Sequence, residues 1–252
     1  MHNWNQRFGA AGIHLVISLG IAALAAALVF GVWYRYPYRE ISGGRDLFVL
    51  LMTVDVILGP LMTLVVFNTV KPRRELRRDL AIVGLIQLVG LAYGLWTVCV
   101  ARPVHLVFEI DRFRVVHATD VPVDLMNKVP AGIEALPLAG PTLLAVRTFR
   151  NNAEEVDATM AALQGIPLGA RPDLWQPYSA AREKVLKAAR PAEQLRARFA
   201  SQAPEIDAVL ARAGRQAATT AYVPLAGRKS FWTVFVDPTT ADVVAFMPLD
   251  SF

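Results

Sequence analysis

The chain has 252 residues, 54% of them hydrophobic and 19% charged, with a single cysteine. Ordinary soluble domains are less apolar and more charged; this balance excludes a disordered chain, and one cysteine excludes an internal disulfide framework or a multi-cysteine metal site. Lys and Arg number 26 against 21 Asp and Glu, and the whole excess falls in residues 1–102, which hold 10 basic and 5 acidic residues. Residues 103–252 hold 16 of each sign. They offer no basic field for phosphates, so no nucleic-acid partner is expected.

Residues 8–34 run 27 positions without a charged side chain, 47–70 run 24 interrupted only by Asp55, and 80–101 run 22 without charge. Each exceeds the ~20 residues that a helix needs to cross ~30 Å of hydrocarbon. The sequence therefore predicts a membrane α-helical domain over 1–102, with three transmembrane helices in the lipid bilayer at about 8–34, 47–70 and 80–101. Trp33, Tyr34, Tyr36 and Tyr38 close the first run as interfacial aromatics do, which suits an uncleaved anchor. The loop KPRRELRRD (71–79) carries five basic residues and, with Arg7, puts six on one side; Arg35, Arg39, Arg45 and Arg102 fall on the other. The positive-inside rule then predicts a cytoplasmic N-terminus and a periplasmic C-terminal domain in a Gram-negative cell.

From Pro103 the pattern is that of a soluble α+β domain extending to residue 252. VHLVFEI (104–110) and FRVVHA (113–118) read as two strands with a turn at Asp111-Arg112. Four prolines in 119–141 predict loop, and TLLAVRTF (142–149) predicts a strand. Helical patterns follow at 152–164, 178–200 and 204–214. SFWTVFV (230–236) and VVAFM (243–247) read as a closing hairpin around DPTTAD.

Polar residues inside the spans carry the most information. Asp55 lies eight residues past Leu47 and Tyr93 eight before Ala101, which places both ~12 Å below the outer surface. A mid-bilayer acid costs ~2.5–3.5 kcal/mol on insertion scales and needs a partner, so an Asp55–Tyr93 pair is expected. Counted likewise from Phe8 and Leu80, His14 and Gln87 share a depth near the inner face and form a second expected pair. Asp55 is then a neutral acid hydrogen-bonded between helices, a contact for a partner protein, or a group that couples protons or ions. Pro60, after Gly59, removes a backbone bond to Val56 and kinks the second span. Gly90 and Gly94 permit close helix approach in the third.

No phosphate-binding loop, dinucleotide fingerprint, metalloprotease helix or nucleophile elbow is present, and the four histidines lack ligand spacing. Cys99 reads as an inert thiol within the third span. Glu109 and Asp111 read as a solvated strand face and turn. No catalytic, cofactor or metal residue is assigned, and no cofactor is expected.

The blocks LLMTVDVILGPLMTLVVFN (50–68), RRDLAIVGLIQLVGLAYGLWTV (77–98) and ARPVHLVFEIDRFRVV (101–116) resemble the TfpX/TfpZ family of type IV pilin accessory proteins. The resemblance covers about the first 120 residues. It carries the family pattern onto Asp55, Gly59, Pro60, Thr63, Asp79, Gln87, Tyr93, Gly94, Arg102, Pro103, Asp111, Arg112 and Phe113. It implies an inner-membrane protein that assists assembly or dynamics of type IV pili. The major pilin subunit is the implied partner, and the inner-membrane assembly platform a second candidate. The alternative is a membrane enzyme that modifies pilin by sugar or lipid transfer. On the leading expectation, the segment RPVHLVFEIDRF joins the third helix rigidly to the domain.

Overall fold

Backbone groups in hydrocarbon must be satisfied within their own segment, which favours helix for each apolar run. In the computed structural model, which describes residues 4–252, all three runs are helical. Helix α1 (Trp4–Leu28) continues through a π-helical turn, Val29–Trp33. A single turn, α2 (Tyr38–Ile41), precedes α3 (Gly44–Val66) and α4 (Arg73–Val100). The three long helices are each long and apolar enough to cross a membrane. Helix α4 starts seven residues before Leu80, directly after Pro72 and with Glu75 in its first turn, where both residue types suit a helix N-terminus. Charge marks where lipid ends, not where the helix ends.

The chain forms two compact units, one made of the residues up to Arg35 with Gly44–Ala101, the other of Tyr36–Gly43 with Arg102–Phe252. In the membrane unit α3 is the middle helix, packed against α1 on one side and α4 on the other. Ala25, Val29, Trp33 and Tyr34 pack with Phe48, Met52, Leu91 and Val98 at one end. The Tyr34 hydroxyl donates to the Val98 carbonyl there, at 3.2 Å. Gly94 admits Leu51 so closely that a Cβ would overlap it. In the other half the buried positions are mostly small or polar: Ser18, Gly59 and Thr63, with Val83.

The soluble unit is an eight-stranded mixed sheet with helices on both faces, an α+β fold. Its strands are β1 (Pro103–Phe108), β2 (Phe113–His117), β3 (Thr142–Val146), β4 (Trp175–Pro177), β5 (Arg190–Pro191), β6 (Ala221–Ala226), β7 (Phe231–Val236) and β8 (Val243–Met247). Its helices are α5 (Asn152–Leu163), α6 (Arg182–Ala188), α7 (Ala192–Arg198) and α8 (Ala203–Arg212). The sheet order is β4-β3-β1-β2-β6-β7-β8, with β5 on part of β6. One face buries Phe108, Phe113, Val223 and Val234 against Tyr178 and Val185. On the other, Trp175 and Ala158 cover β1–β3, while α7 and α8 cover β6 and β7 through Leu195, Ile206 and Leu210.

The first hairpin turns at Asp111-Arg112, where Glu109 N donates to the Arg112 carbonyl at 2.9 Å, and β7–β8 closes the sheet. The helical pattern over 178–200 is divided: α6 stops at Ala188, and Arg190–Pro191 pair with Tyr222 and Ala221 before α7 begins. Three strands lie outside the sequence expectations, β4, β5 and β6, and all three contain proline. Strand β6 tolerates Pro224 because its side away from β7 is shared: β5 pairs at Ala221–Tyr222 and β2 at Leu225–Ala226, with no strand pairing at 224 between them.

The expected single cut at 102/103 gives way to a divided layout. Ile41, the lone aliphatic residue between the first two spans, is fully buried in the soluble unit's core beside the side chains of β2, β6 and β7. A Cβ on Gly227 would overlap it, so that glycine makes room for the Ile41 side chain. The loop between the first two helices is thus part of the soluble fold.

Candidate functional site: a polar-floored groove in the membrane unit

Asp55 sits at the middle of α3, 11 residues from Gly44 and 11 from Val66, or ~16 Å from either end. It lines a groove of about 280 Å³ with Val54, Leu58 and Met62 of α3 and Val83, Ile86 and Gly90 of α4. Gly59 and Gln87 form its floor: Gln87 Nε2 donates to the Asp55 carbonyl at 3.2 Å, and a Cβ on Gly59 would overlap the Gln87 amide. Pro60 lies inside α3 and has no N–H to give Val56, so the Gln87 donor braces the helix one residue from the bond it omits. On the α1 side, His14 Nδ1 and Thr63 Oγ1 are 2.5 Å apart, and His14 also acts electrostatically on Asp55.

The expected pairs are therefore exchanged. Tyr93 does not meet Asp55: its ring is 68% exposed and lies 5.9 Å from that of Trp96. Gln87 meets the Asp55 backbone instead of His14, and His14 meets Thr63. The depth count began at Leu47, whereas α3 begins at Gly44, about one helical turn earlier. The contacts Leu51–Gly94 and Gly59–Gln87 define an antiparallel register that sets Asp55 opposite Gly90, a turn from Tyr93. Gly94 holds its expected role of close approach. Thr63 and Asp79, carried only by the resemblance, pair with His14 and, at 2.7 Å, with Lys71.

At the start of the soluble unit, Arg102 is buried and donates to the carbonyls of Pro137 (3.1 Å) and Leu136 (2.8 Å), pinning the proline-rich loop. Pro103 opens β1, and Phe113 is fully buried in the core. Asp111 and Arg112 form a two-point ion pair at 2.7 and 3.2 Å on the exposed turn, with the Arg112 guanidinium 4.9 Å from the Phe252 ring. Glu109 is not on a solvated face: it is buried, bonded to Arg114 Nε at 2.7 Å and to Gly169 N at 2.9 Å.

A second constellation lay beyond sequence signals because one member, Arg228, is more than 100 residues from the rest. His117, Asp120, Arg114, Thr119 and Arg228 line a cavity of about 530 Å³. Arg228 reaches Asp120 at 2.5 Å, and His117 Nδ1 lies 3.0 Å from the same carboxylate. Burial alone would raise the Asp120 carboxyl; the bonds from His117 and the charge of Arg228 outweigh it and hold the group down to about 2. Burial lowers His117, so a neutral ring donates Nδ1–H to Asp120. Burial likewise pushes His105 down to about 4, between Thr142 Oγ1 and the Ala135 carbonyl.

The chain is 35% identical over 243 residues to the Dichelobacter nodosus "Fimbrial assembly protein, serogroup I", covering 96% of this chain and 94% of that protein. The chain belongs to the fimbrial assembly protein family. The serogroup E1 protein of the same organism is 33% identical over the same shares of both chains. A third relative, from serogroups C1 and C2, is 42% identical over 113 residues, 45% of this chain and 86% of its own length. The family described as Fimbrial assembly protein FimB matches residues 2–43, a stretch that runs through α1 to the end of the α2 turn. For the fimbrial assembly protein family, then, similarity extends over the soluble unit as well as the helices. No solved structure matches the chain.

Proposed function

We propose that this chain is a non-enzymatic assembly protein of type IV pili, which contacts the pilin subunit from the inner membrane. The observation that carries this is full-length similarity to two proteins named for fimbrial assembly. The resemblance of residues 50–116 to the TfpX/TfpZ family supports type IV pilin as the partner. The basic loop at 71–79 supports a cytoplasmic N-terminus, which sets the soluble unit in the periplasm. A pilin awaiting assembly offers one apolar helix and a globular head; helices and a domain on the same side of the membrane can engage both.

The test compares cells with and without the protein by pilus counts and by the intact mass of pilin. Fewer pili with unchanged pilin mass is expected. A pilin mass that depends on this protein would replace assembly help with covalent modification.

A further inference from the structure

Helix α4 begins seven residues before the charge-free run at Leu80, and Arg73, Arg74, Arg77 and Arg78 all fall in that extension. On a helix turning about 100° per residue they share one side, an arc of about 140°, with Glu75 and Asp79 outside it. All four are exposed. Among the described residues Arg73, Arg74 and Arg77 have no ion-pair or hydrogen-bond partner. Arg78 has only a 3.7 Å contact with Asp79, whose other oxygen is taken by Lys71 at 2.7 Å. This placement is unfavourable for the helix itself. Arg73–Arg77 and Arg74–Arg78 are like-charged neighbours one turn apart, and cations in the first turns oppose the helix dipole. Membrane orientation depends on how many basic residues a loop holds, and does not require them on one side of a helix. A bound anion relieves both conflicts.

We propose that the arginine side of α4 is a binding site for the headgroups of anionic phospholipids. Depth along the helix selects the ligand. Arg77 and Arg78 lie ~3–5 Å from Leu80, inside a headgroup layer ~5–7 Å thick, and Arg73 and Arg74 stand ~9–11 Å out, at its outer surface. Side chains lean towards the helix N-terminus, which carries the Arg77 and Arg78 guanidinium groups from the hydrocarbon edge into the phosphates. A guanidinium meets a phosphate through two parallel hydrogen bonds. A soluble acidic protein cannot reach Arg77 and Arg78 without displacing headgroups, whereas lipid phosphates already stand at that depth. Two pairs of arginines one turn apart suit a headgroup with two phosphates better than one with a single phosphate. The site is independent of the pilin contact proposed above.

The test uses the purified full chain in mild detergent, with bound lipid counted by native mass spectrometry. Phosphatidylglycerol, cardiolipin with its two phosphates, and zwitterionic phosphatidylcholine are added in equal amounts. Phosphatidylglycerol is expected to bind at least about tenfold more than phosphatidylcholine, and cardiolipin more than phosphatidylglycerol. Arg74→Glu combined with Glu75→Arg moves a positive charge off the arginine side and a negative one onto it, while the composition that orients the loop is unchanged. Each basic residue near an anionic surface is worth about fivefold, so the exchange should lower anionic-lipid binding at least about tenfold. Should the exchange also lower the melting midpoint, Arg77→Gln repeats the test without adding a negative charge, with a loss of about fivefold expected. Arg35→Gln, which removes an exposed charge beyond the C-terminal end of α1, should leave lipid binding unchanged. Equal binding of phosphatidylglycerol and phosphatidylcholine, or anionic-lipid binding that survives both variants, overturns the site. Full displacement of lipid by inorganic phosphate also overturns it, by marking a site for the free anion, as does an acidic soluble protein held by the same arginines in place of lipid.

Discussion

Ile41 is the clearest place to test how the chain is divided, since a residue between two membrane helices is fully buried in the soluble core. Ile41→Ala removes three carbons from a site walled by β-strand side chains and Gly227, which cannot collapse without moving the sheet. Buried Ile→Ala changes cost ~2–5 kcal/mol; a value of about 3 suits so enclosed a site. In a unit of this size each kcal/mol shifts the midpoint by ~2–4 °C, so the variant should melt ~6–12 °C below the parent. The assay is thermal unfolding of the full chain in detergent, followed by the emission of the tryptophans, of which Trp175 and Trp232 are buried in the soluble unit. Ile57→Ala is the control, because Ile57 lies in α3 and is 52% exposed. If both variants melt within about 2 °C of the parent, the segment 36–43 is not part of that core and the division is refuted.

Three further expectations follow from the geometry. Gly59→Ala pushes a Cβ into the Gln87 amide and should cost ~1–3 kcal/mol in the membrane unit, read by detergent-denaturant titration, while Gly20→Ala, whose Cβ meets nothing, should be neutral or slightly stabilising. Asp120 is held at about 2, below its ordinary 3.8, so its roughly 2 kcal/mol of stability is complete above the ordinary value and fades as pH falls towards the lowered one. Asp120→Asn should therefore destabilise the chain at neutral pH and flatten the acid limb of its stability profile between about pH 4 and 2, measured by denaturant midpoints across that window. Asp111→Ala or Arg112→Ala breaks an exposed ion pair worth no more than ~1 kcal/mol, so the chain should stay in the membrane at normal abundance while pilus counts drop; normal piliation would remove the turn from the functional surface.

What the sequence revealed was whatever a local pattern could encode. Three long apolar runs announced three helices, and alternation around Asp111-Arg112 and around DPTTAD announced two hairpins. Strand β6 stayed hidden because Pro224 reads as a strand breaker, and only the shared edge of β5 and β2 makes it tolerable. Membership of Ile41 in a core built mainly from residues beyond 105 has no local signature. Asp55, Gly59, Gln87 and Gly94 stood out as polar or small residues in apolar runs, but their partners depended on helix register. Counting from the edge of a hydrophobic run misplaces that register by about a turn, enough to offer Tyr93 where the structure puts Gly90. Asp120 and Arg228, more than 100 residues apart, carried no signal at all.

Co-purification from native membranes bears most directly on what the molecule does. With the chain tagged at its C-terminus and extracted in mild detergent, the pilin subunit should be retained with the wild-type protein. Pilin absent from the wild-type eluate, in cells whose pili are as numerous without the protein as with it, would contradict the account.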